Sequence, residues 1–560
     1  MRHESHSEPS AGEPRSLPGA VRLVDLLVWC VVLAGVFLLF HRLAWNGSTW
    51  DERIDYSIAQ DIARHGNVLT NVFDPTQSRL PHMVGALALA LFGDGLWAFK
   101  LPFAFIGLLG GALLYAFVAR RRDRVTASYC LAFYLTNPWV LASSRSAATA
   151  GDILVVVTTF AFFWAAVRFV ESHGPDARRL RHTMALGLLA GVSVGAKLTS
   201  AVLIPFGLAI VVATRMSLRH AVVFVAGSAL FAVATHPLLM TESSLLVGSI
   251  HRALGPSPSA PDANRKVVRP MASSTSPFDK LAGKAPVYSG DVFLVSLERP
   301  PKLRYLWAVL AGKLTVPFLF VVLLGGAMGA RASYVSRKFD PAFCGALLFV
   351  LATCGFIWKN KQNPNYFLPL LLPAITIAAL PLATVLQSPK PWRRAAGSCA
   401  WLTLLVYQLW LCAALSPDYL QAGRRMGPSV QGLMAGPAVN HCQGTPLLID
   451  RLNALRHTAS FGTAYVLEAC MPVIVRDATL GPVQPVGYSF VKYNPIARPP
   501  EAHLVVVHET LHYDAFATTD HTLRMRRLQR ATRGCVLANA NAANARFKVF
   551  RCPAAVDSQR

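Results

Sequence analysis

Three carboxylates, Asp51, Glu52 and Asp55, open a stretch that runs from Trp50 to a cation just before proline, Arg79-Leu80-Pro81. A positioned carboxylate can accept a proton, and a cation can hold an anionic group. Two further residues stand out against apolar surroundings: Asp152, just beyond the third apolar run, and Lys197, in Gly195-Ala196-Lys197-Leu198. A lysine in such a setting is expensive and is read first as functional, although a snorkelling lysine would look the same. The acids also have a plain structural reading. Thr49-Trp50-Asp51-Glu52 fits a capping box, so Glu52 could simply cap the helix and Asp51 favour its positive end, each for under about 1 kcal/mol. One other motif invites chemistry, the HExxH of His508-Glu509-Thr510-Leu511-His512. A zinc protease needs it on a helix, but Leu504-Val505-Val506-Val507 runs into it as a strand. Strand geometry would part the two histidines by about 13 Å, too far to share one zinc. The motif is read as catalytically silent.

The elements that must position these residues are membrane spans. The 560 residues are 53% hydrophobic and only 15% charged, with mean hydropathy +0.40 and apolar runs near the length of a bilayer core. A net charge of +25 would suggest nucleic acid in a soluble chain. Here many of the cations fall in short loops between apolar runs, where they set orientation, and the remainder suits an anionic lipid or phosphate. Residues 1–20 are polar and rich in Pro, Ser and Gly, expected as a disordered cytoplasmic tail. The run after it is too long for a signal-peptide core and should remain as an anchor. About 11 spans are expected, near 21–44, 96–119, 126–145, 151–170, 183–195, 198–213, 219–240, 305–328, 341–358, 365–387 and 394–415. Residues 82–92 are too short to span and suit a juxtamembrane helix. The 50–65 stretch should be an amphipathic helix, with Ile54, Ile58 and Ile62 as its apolar stripe and Gly66 as its stop.

Residues 183–213 decide the span count. One helix of that length would reach roughly 46 Å, beyond a core of about 30 Å. Cations also flank it on both sides, so two short spans hairpinning at Lys197 are expected. The clusters Arg120-Arg121-Arg122, Arg178-Arg179-Arg181, Arg215/Arg219, Arg337-Lys338 and Arg393-Arg394 then share one side, the cytoplasm. The other face collects the outer loop 45–95, Asp152, Lys197, His236-Pro237, the long outer loop 241–304 and Lys359–Tyr366. That long loop carries nine Lys/Arg against five acids. Residues 416–560 alternate strand-like runs (TPLLID, TAYVLE, MPVIVRD, HLVVVHE) with helix-like ones. A soluble extracytoplasmic α/β domain is expected there, with disulfides Cys442–Cys470 and Cys535–Cys552 as the preferred pairing of three.

In order and sidedness these motifs resemble the GT-C fold glycosyltransferases of the protein O-mannosyltransferase and lipid A aminoarabinose transferase superfamily. The acid pair after the first span, Arg79 before Pro81, Asp152, the Gly195-Ala196-Lys197 hairpin and Asn365-Tyr366-Phe367-Leu368-Pro369 carry the likeness, over roughly 45–390. The resemblance implies a multi-pass α-helical enzyme in the plasma (bacterial inner) membrane, with its N-terminus cytoplasmic. It would move a sugar from a polyprenyl-phosphate donor to a lipid, glycan or protein acceptor on the outer face. It further implies Asp51 and Asp152 as the acidic catalytic site, with Arg79 and Lys197 at the carrier phosphate. Glu52 and Tyr366 complete the substrate-binding candidates. No cofactor is firmly implied, and the acids leave room for a divalent metal. Two departures bear on the acceptor: the family's aromatic after the acid pair is displaced to Tyr56, and Ile54 stands where aminoarabinose enzymes carry Arg. The acceptor is therefore borrowed from neither branch. A multi-pass transporter or lipid flippase would use similar spans; charge gathered at one face rather than at the midplane argues against it.

Overall fold

The computed structural model describes residues 19–44, 50–68, 78–239 and 314–416 with short breaks. Beyond them it describes mainly five short segments, 463–466, 489–492, 502–508, 534–538 and 547–553. The first part is helical. Helix α1 (Gly19–Phe40) is followed by α2 (Trp50–His65), α3 (Arg79–Phe92), α4 (Leu96–Arg121), α5 (Arg124–Leu135), α6 (Pro138–Arg145) and α7 (Ala150–Glu171). Next come α8 (Asp176–Ala196), a 3-10 turn (Leu198–Val202), α9 (Leu203–Ala213) and α10 (Leu218–Thr235). The later helices are α11 (Val316–Ser336), α12 (Pro341–Asn360), α13 (Leu371–Leu386, after a 3-10 turn Pro364–Leu370) and α14 (Pro391–Leu415).

Seven of the described helices are long and apolar enough to cross a membrane: α1, α4, α7, α10, α11, α13 and α14. Their outer faces expose large apolar side chains such as Leu33, Phe37, Leu109, Leu230, Phe320 and Trp410, as lipid requires and water would not favour. The protein is a multi-pass α-helical membrane protein. The remaining predicted spans are also helical: α8 and α12 cover 183–195 and 341–358, while 198–213 is a 3-10 turn with the short α9. The run 126–145 is not one span, because Asn137-Pro138 splits it into α5 and α6. Proline removes a backbone donor, and Asn137 Oδ1 accepts from Trp139 N (2.9 Å) and starts the next helix. The described helix replacing 305–328 is displaced toward the C-terminus, to 316–336, running on past the apolar run through Arg331.

The break at Lys197 falls between α8 and α9 as the hairpin reading requires, and a glycine stripe fixes the geometry. A Cβ on Gly187 or on Gly191 would lie 2.5 Å from Phe224 O or Ser228 O respectively, and one on Gly195 would overlap Thr235. These contacts climb α8 and α10 in the same direction, so the two helices are parallel, backbone against backbone. Two parallel helices joined through α9 oblige α9 to return between their ends, placing Lys197 at the turn.

The charged residues segregate to the two ends of this bundle. At one end Arg121 pairs with Glu171, Arg122 with Asp340 (2.8 Å), His220 with Asp176 (3.3 Å), and Gln387 donates to Asp123 (3.0 Å). The opposite end holds the acids and cations considered below.

In the C-terminal part, strands β1 (Thr463–Val466), β2 (Ser489–Lys492), β3 (His503–His508), β4 (Val536–Leu537) and β5 (Phe547–Cys552) form one sheet in the order β2-β1-β3-β5-β4. The first three are parallel and β5 and β4 are antiparallel additions, a mixed sheet of the α/β kind. Cys535 is bonded to Cys552, joining the approach to β4 to the end of β5. The expected partners Cys442 and Cys470 lie outside the described residues. Six cysteines of the helical part are free thiols. His508 ends strand β3, paired with Phe547, and Glu509–His512 lie outside the described residues.

Candidate functional site

Helix α2 starts where the sequence places it and stops at Gly66, which takes φ 69° with its N–H on Ile62 O at 2.9 Å. Its buried side is wider than the isoleucine stripe: Glu52, Tyr56, Ile58 and Ala59 all point inward. Asp51 lies in its first turn, and its side chain is not among those described. Glu52 is not a cap. It is wholly buried and pairs with Lys100 of α4 at 2.8 Å, itself 2% exposed. Two opposite charges taken from water together are tolerable; either alone would not be. The sequence offered no sign of this, because Lys100 reads as an ordinary interfacial lysine at the start of a span.

Further along α2, Asp55 Oδ1 meets His82 Nε2 of α3 at 2.9 Å. Tyr56 donates to Asp94 in the α3–α4 turn at 2.9 Å, where Gln60 and Arg64 also converge. Those three donors hold the Asp94 carboxyl below the usual range against the opposing cost of its partial burial. Helix α2 is thereby fastened along its length to α3 and α4.

Arg79 begins α3 and is fully buried, with Asp61 contributing a favourable charge nearby. Ser78, just before it, donates to Val194 O at the end of α8 (3.3 Å). Asp152, in the first turn of α7 and 5% exposed, forms an ion pair with Lys197, the residue between α8 and the following 3-10 turn. His236 caps α10 beside Thr235, which lies against Gly195. The end of the bundle thus brings Glu52, Asp55, Arg79, His82, Asp152, Lys197 and His236 together, from five helices and their ends. Tyr366 belongs to the 3-10 turn before α13, and its side chain is not described. Among the described residues no group of three or more His, Cys, Asp or Glu side chains is placed to share a metal ion.

Arg145, which sequence reading passed over, has a structural task. Its guanidinium donates to Leu38 O (2.6 Å), Leu39 O (3.2 Å), His41 O (2.6 Å) and Arg42 O (3.0 Å). These are the last carbonyls of α1 and the residues just after it, which have no partner within the helix. A buried arginine from α6 satisfies them and fixes where α1 ends and the chain turns toward α2.

A multi-pass helical bundle with its paired acids and cations collected at one end is the class that fold and site define. Within it, residues 80–240 match the model of the family described as dolichyl-phosphate-mannose-protein mannosyltransferase, a segment that includes His82, Lys100, Asp152, Lys197 and His236. The structure is similar to that of ArnT from Cupriavidus metallidurans in the apo state (15% identity, TM-score 0.49), covering 95% of this chain and 98% of that one. It is similar also to ArnT from the same organism bound to undecaprenyl phosphate (15% identity, TM-score 0.47, 95% and 98% covered). A third similarity is to the Archaeoglobus fulgidus oligosaccharyltransferase in the apo form (12% identity, TM-score 0.47, 90% and 72% covered). No curated protein matches the chain.

Proposed function

We propose that this protein is a membrane glycosyltransferase that takes a sugar from a polyprenyl-phosphate carrier at the end of the bundle carrying Asp152 and Lys197. The family match over 80–240 supports the reaction class. The observation that carries the site is the Asp152–Lys197 pair, in which a nearly buried carboxylate holds an ammonium at a helix break. A lysine with its position fixed in this way suits an oxygen on which negative charge grows during the reaction.

In the transfer, the bond between the sugar's anomeric carbon and the carrier phosphate oxygen breaks. A bond from that carbon to the acceptor's nucleophile forms. The acceptor's proton passes to a carboxylate, and the carrier leaves as its monophosphate. Asp51, at the positive end of α2, is the proposed base; Asp152 orients Lys197, and Lys197 and Arg79 stabilise the departing phosphate. Glu52 acts one step back, by fixing α2 through Lys100. The end bearing the site is proposed to face outside the cytoplasm, since the basic clusters gather at the other end.

The test is transfer from a radiolabelled polyprenyl-phosphate sugar by purified variants. Asp51→Asn should lower turnover by about 10² or more with donor binding intact. Lys197→Ala should lower turnover and donor affinity together, and Asp152→Asn should share the turnover loss. Folded Asp51→Asn and Lys197→Ala proteins that both transfer at the parent rate would sink the site.

A further inference from the structure

Among the described residues, no bond to the ring of His236 replaces the water it has lost. The side chain is 1% exposed, and neither ring nitrogen has a hydrogen-bond partner among the described residues. His82, 2% exposed, spends Nε2 on Asp55 and leaves a buried Nδ1 likewise without one. A buried polar atom left unmatched costs about 1–3 kcal/mol, so two histidines in one place need an explanation.

Their common place follows from the packing. Ser78 is bonded to Val194, Gly195 abuts Thr235, and Arg79 and His236 are the residues immediately following Ser78 and Thr235. Arg79 and His82 share the first turn of α3. Their charges act on His236 together and, with its burial the largest influence, push its pKa down to about 4. At neutral pH the ring is therefore an uncharged donor set in a positive field. The groups facing it are Arg79 and His82 from α3; Asp55 of α2 reaches it only through His82, and Asp152 on α7 is occupied by Lys197.

We propose that His236 and His82, with Arg79, form a cradle for a phosphate group, in which the one N–H of neutral His236 and, when the His82 ring is the imidazolium paired with Asp55, its Nδ1–H donate to phosphate oxygens that Arg79 attracts. The cradle rests on the glycosyltransferase reading for its choice of ligand, the phosphate of a lipid carrier; free phosphate has the same chemistry. Bound phosphate weakens the positive field at His236, because its negative charge offsets those of Arg79 and His82. The ring then gains affinity for a proton, and binding strengthens as pH falls.

Binding of polyprenyl monophosphate to the full chain in nanodiscs, between pH 8 and pH 6, tests this without any transfer step. His236→Leu should weaken binding by about tenfold or more at pH 7, the worth of a hydrogen bond to a charged group. Relative to this variant, the parent should gain affinity as pH falls. The phosphate's own titration near pH 6 is common to both proteins and cancels in the comparison. His236→Gln keeps a donor and should hold most of the affinity at pH 8 but lose the gain toward acid. The neutral polyprenol should show no dependence on residue 236. Inorganic phosphate as a competitor separates the two sources: displacement at low millimolar levels assigns the cradle to phosphate alone, whereas none assigns it to phosphate on a lipid. Parent-like affinity and pH response in both variants would overturn the cradle. If the variants lose phosphate but the parent transfers no sugar, the cradle stands and the transferase reading falls.

Discussion

Glu52 shows how far one residue's meaning depends on what faces it. As a helix cap its conversion to glutamine would cost under about 1 kcal/mol. Paired with Lys100 in a wholly buried site, Glu52→Gln instead leaves an ammonium with its charge uncompensated, a loss of about 3–5 kcal/mol. Thermal unfolding of the purified protein in detergent should show a markedly lowered midpoint for Glu52→Gln. Glu52→Gln combined with Lys100→Met should recover much of it, since the stranded charge is then gone. Equal midpoints for the parent and the single variant would leave Glu52 with the capping role alone. The acids and cations of this site were individually visible in the sequence, Asp152 and Lys197 among them. Their partners were not, because Asp152 and Lys197 lie 45 residues apart and even Asp55 and His82 lie 27 apart, separations that no local spacing relates. His236 was legible only as a residue of the same face, and the burial of His82 and His236 was not legible at all, because a lone histidine near a span end carries no mark of being buried.

At the scale of the element, the chemistry depends on small residues. Gly187, Gly191 and Gly195 let α8 lie directly on the backbone of α10, and this contact sets Lys197 and His236, which follow the two helices, at the same end of the bundle. A larger side chain at Gly191 has nowhere to go, with Ser228 O at 2.5 Å and Ala232 N at 2.8 Å from a bare Cβ. Backbone cannot rotate aside as a flexible side chain can. Gly191→Leu should therefore pry the helices apart, costing at least the 1–3 kcal/mol typical of overpacking. It should also weaken the pairing of Lys197 with Asp152 although neither residue is changed. Gly326 of α11, with open space where its Cβ would be, is the control: Gly326→Ala should leave the unfolding midpoint unchanged or raise it slightly. If Gly191→Leu behaves as Gly326→Ala does, the close contact of α8 and α10 is wrong.

The whole molecule is sorted by charge into two ends and a sheet-bearing C-terminal part. The ion pairs of Arg121, Arg122 and His220 lie at the end opposite the candidate site. By the bias of short loops toward Lys and Arg, that end is expected in the cytoplasm and the Cys535–Cys552 disulfide outside it. Peptide mapping of the protein from its native membrane, without reductant, should recover Cys535 and Cys552 as one linked peptide. A membrane-impermeant thiol reagent applied to intact cells should find neither of them until a reductant is added. Free thiols at both positions in the native membrane would put this part in the cytoplasm and reverse the orientation.

Spans are legible from sequence because lipid imposes a local rule: backbone groups must be satisfied within each apolar segment, so every apolar run of sufficient length becomes a helix. That rule accounts for the helices near all the expected spans and for the break at Lys197, while the apolar, largely β-branched run Leu504–Val507 separately marks strand β3. It extends to Asn137-Pro138 only in hindsight, since an apolar average conceals a proline. Which helices touch is decided by surfaces hundreds of residues apart in some cases, as when Arg122 meets Asp340. The sequence by itself therefore determined a bundle of membrane helices with acids and cations at their ends. Only the tertiary structure decided that Glu52 answers Lys100, that Asp152 answers Lys197, and that Arg79, His82 and His236 gather at one place. Burial makes a charge or an imidazole depend on its neighbours, and neighbours are a property of packing.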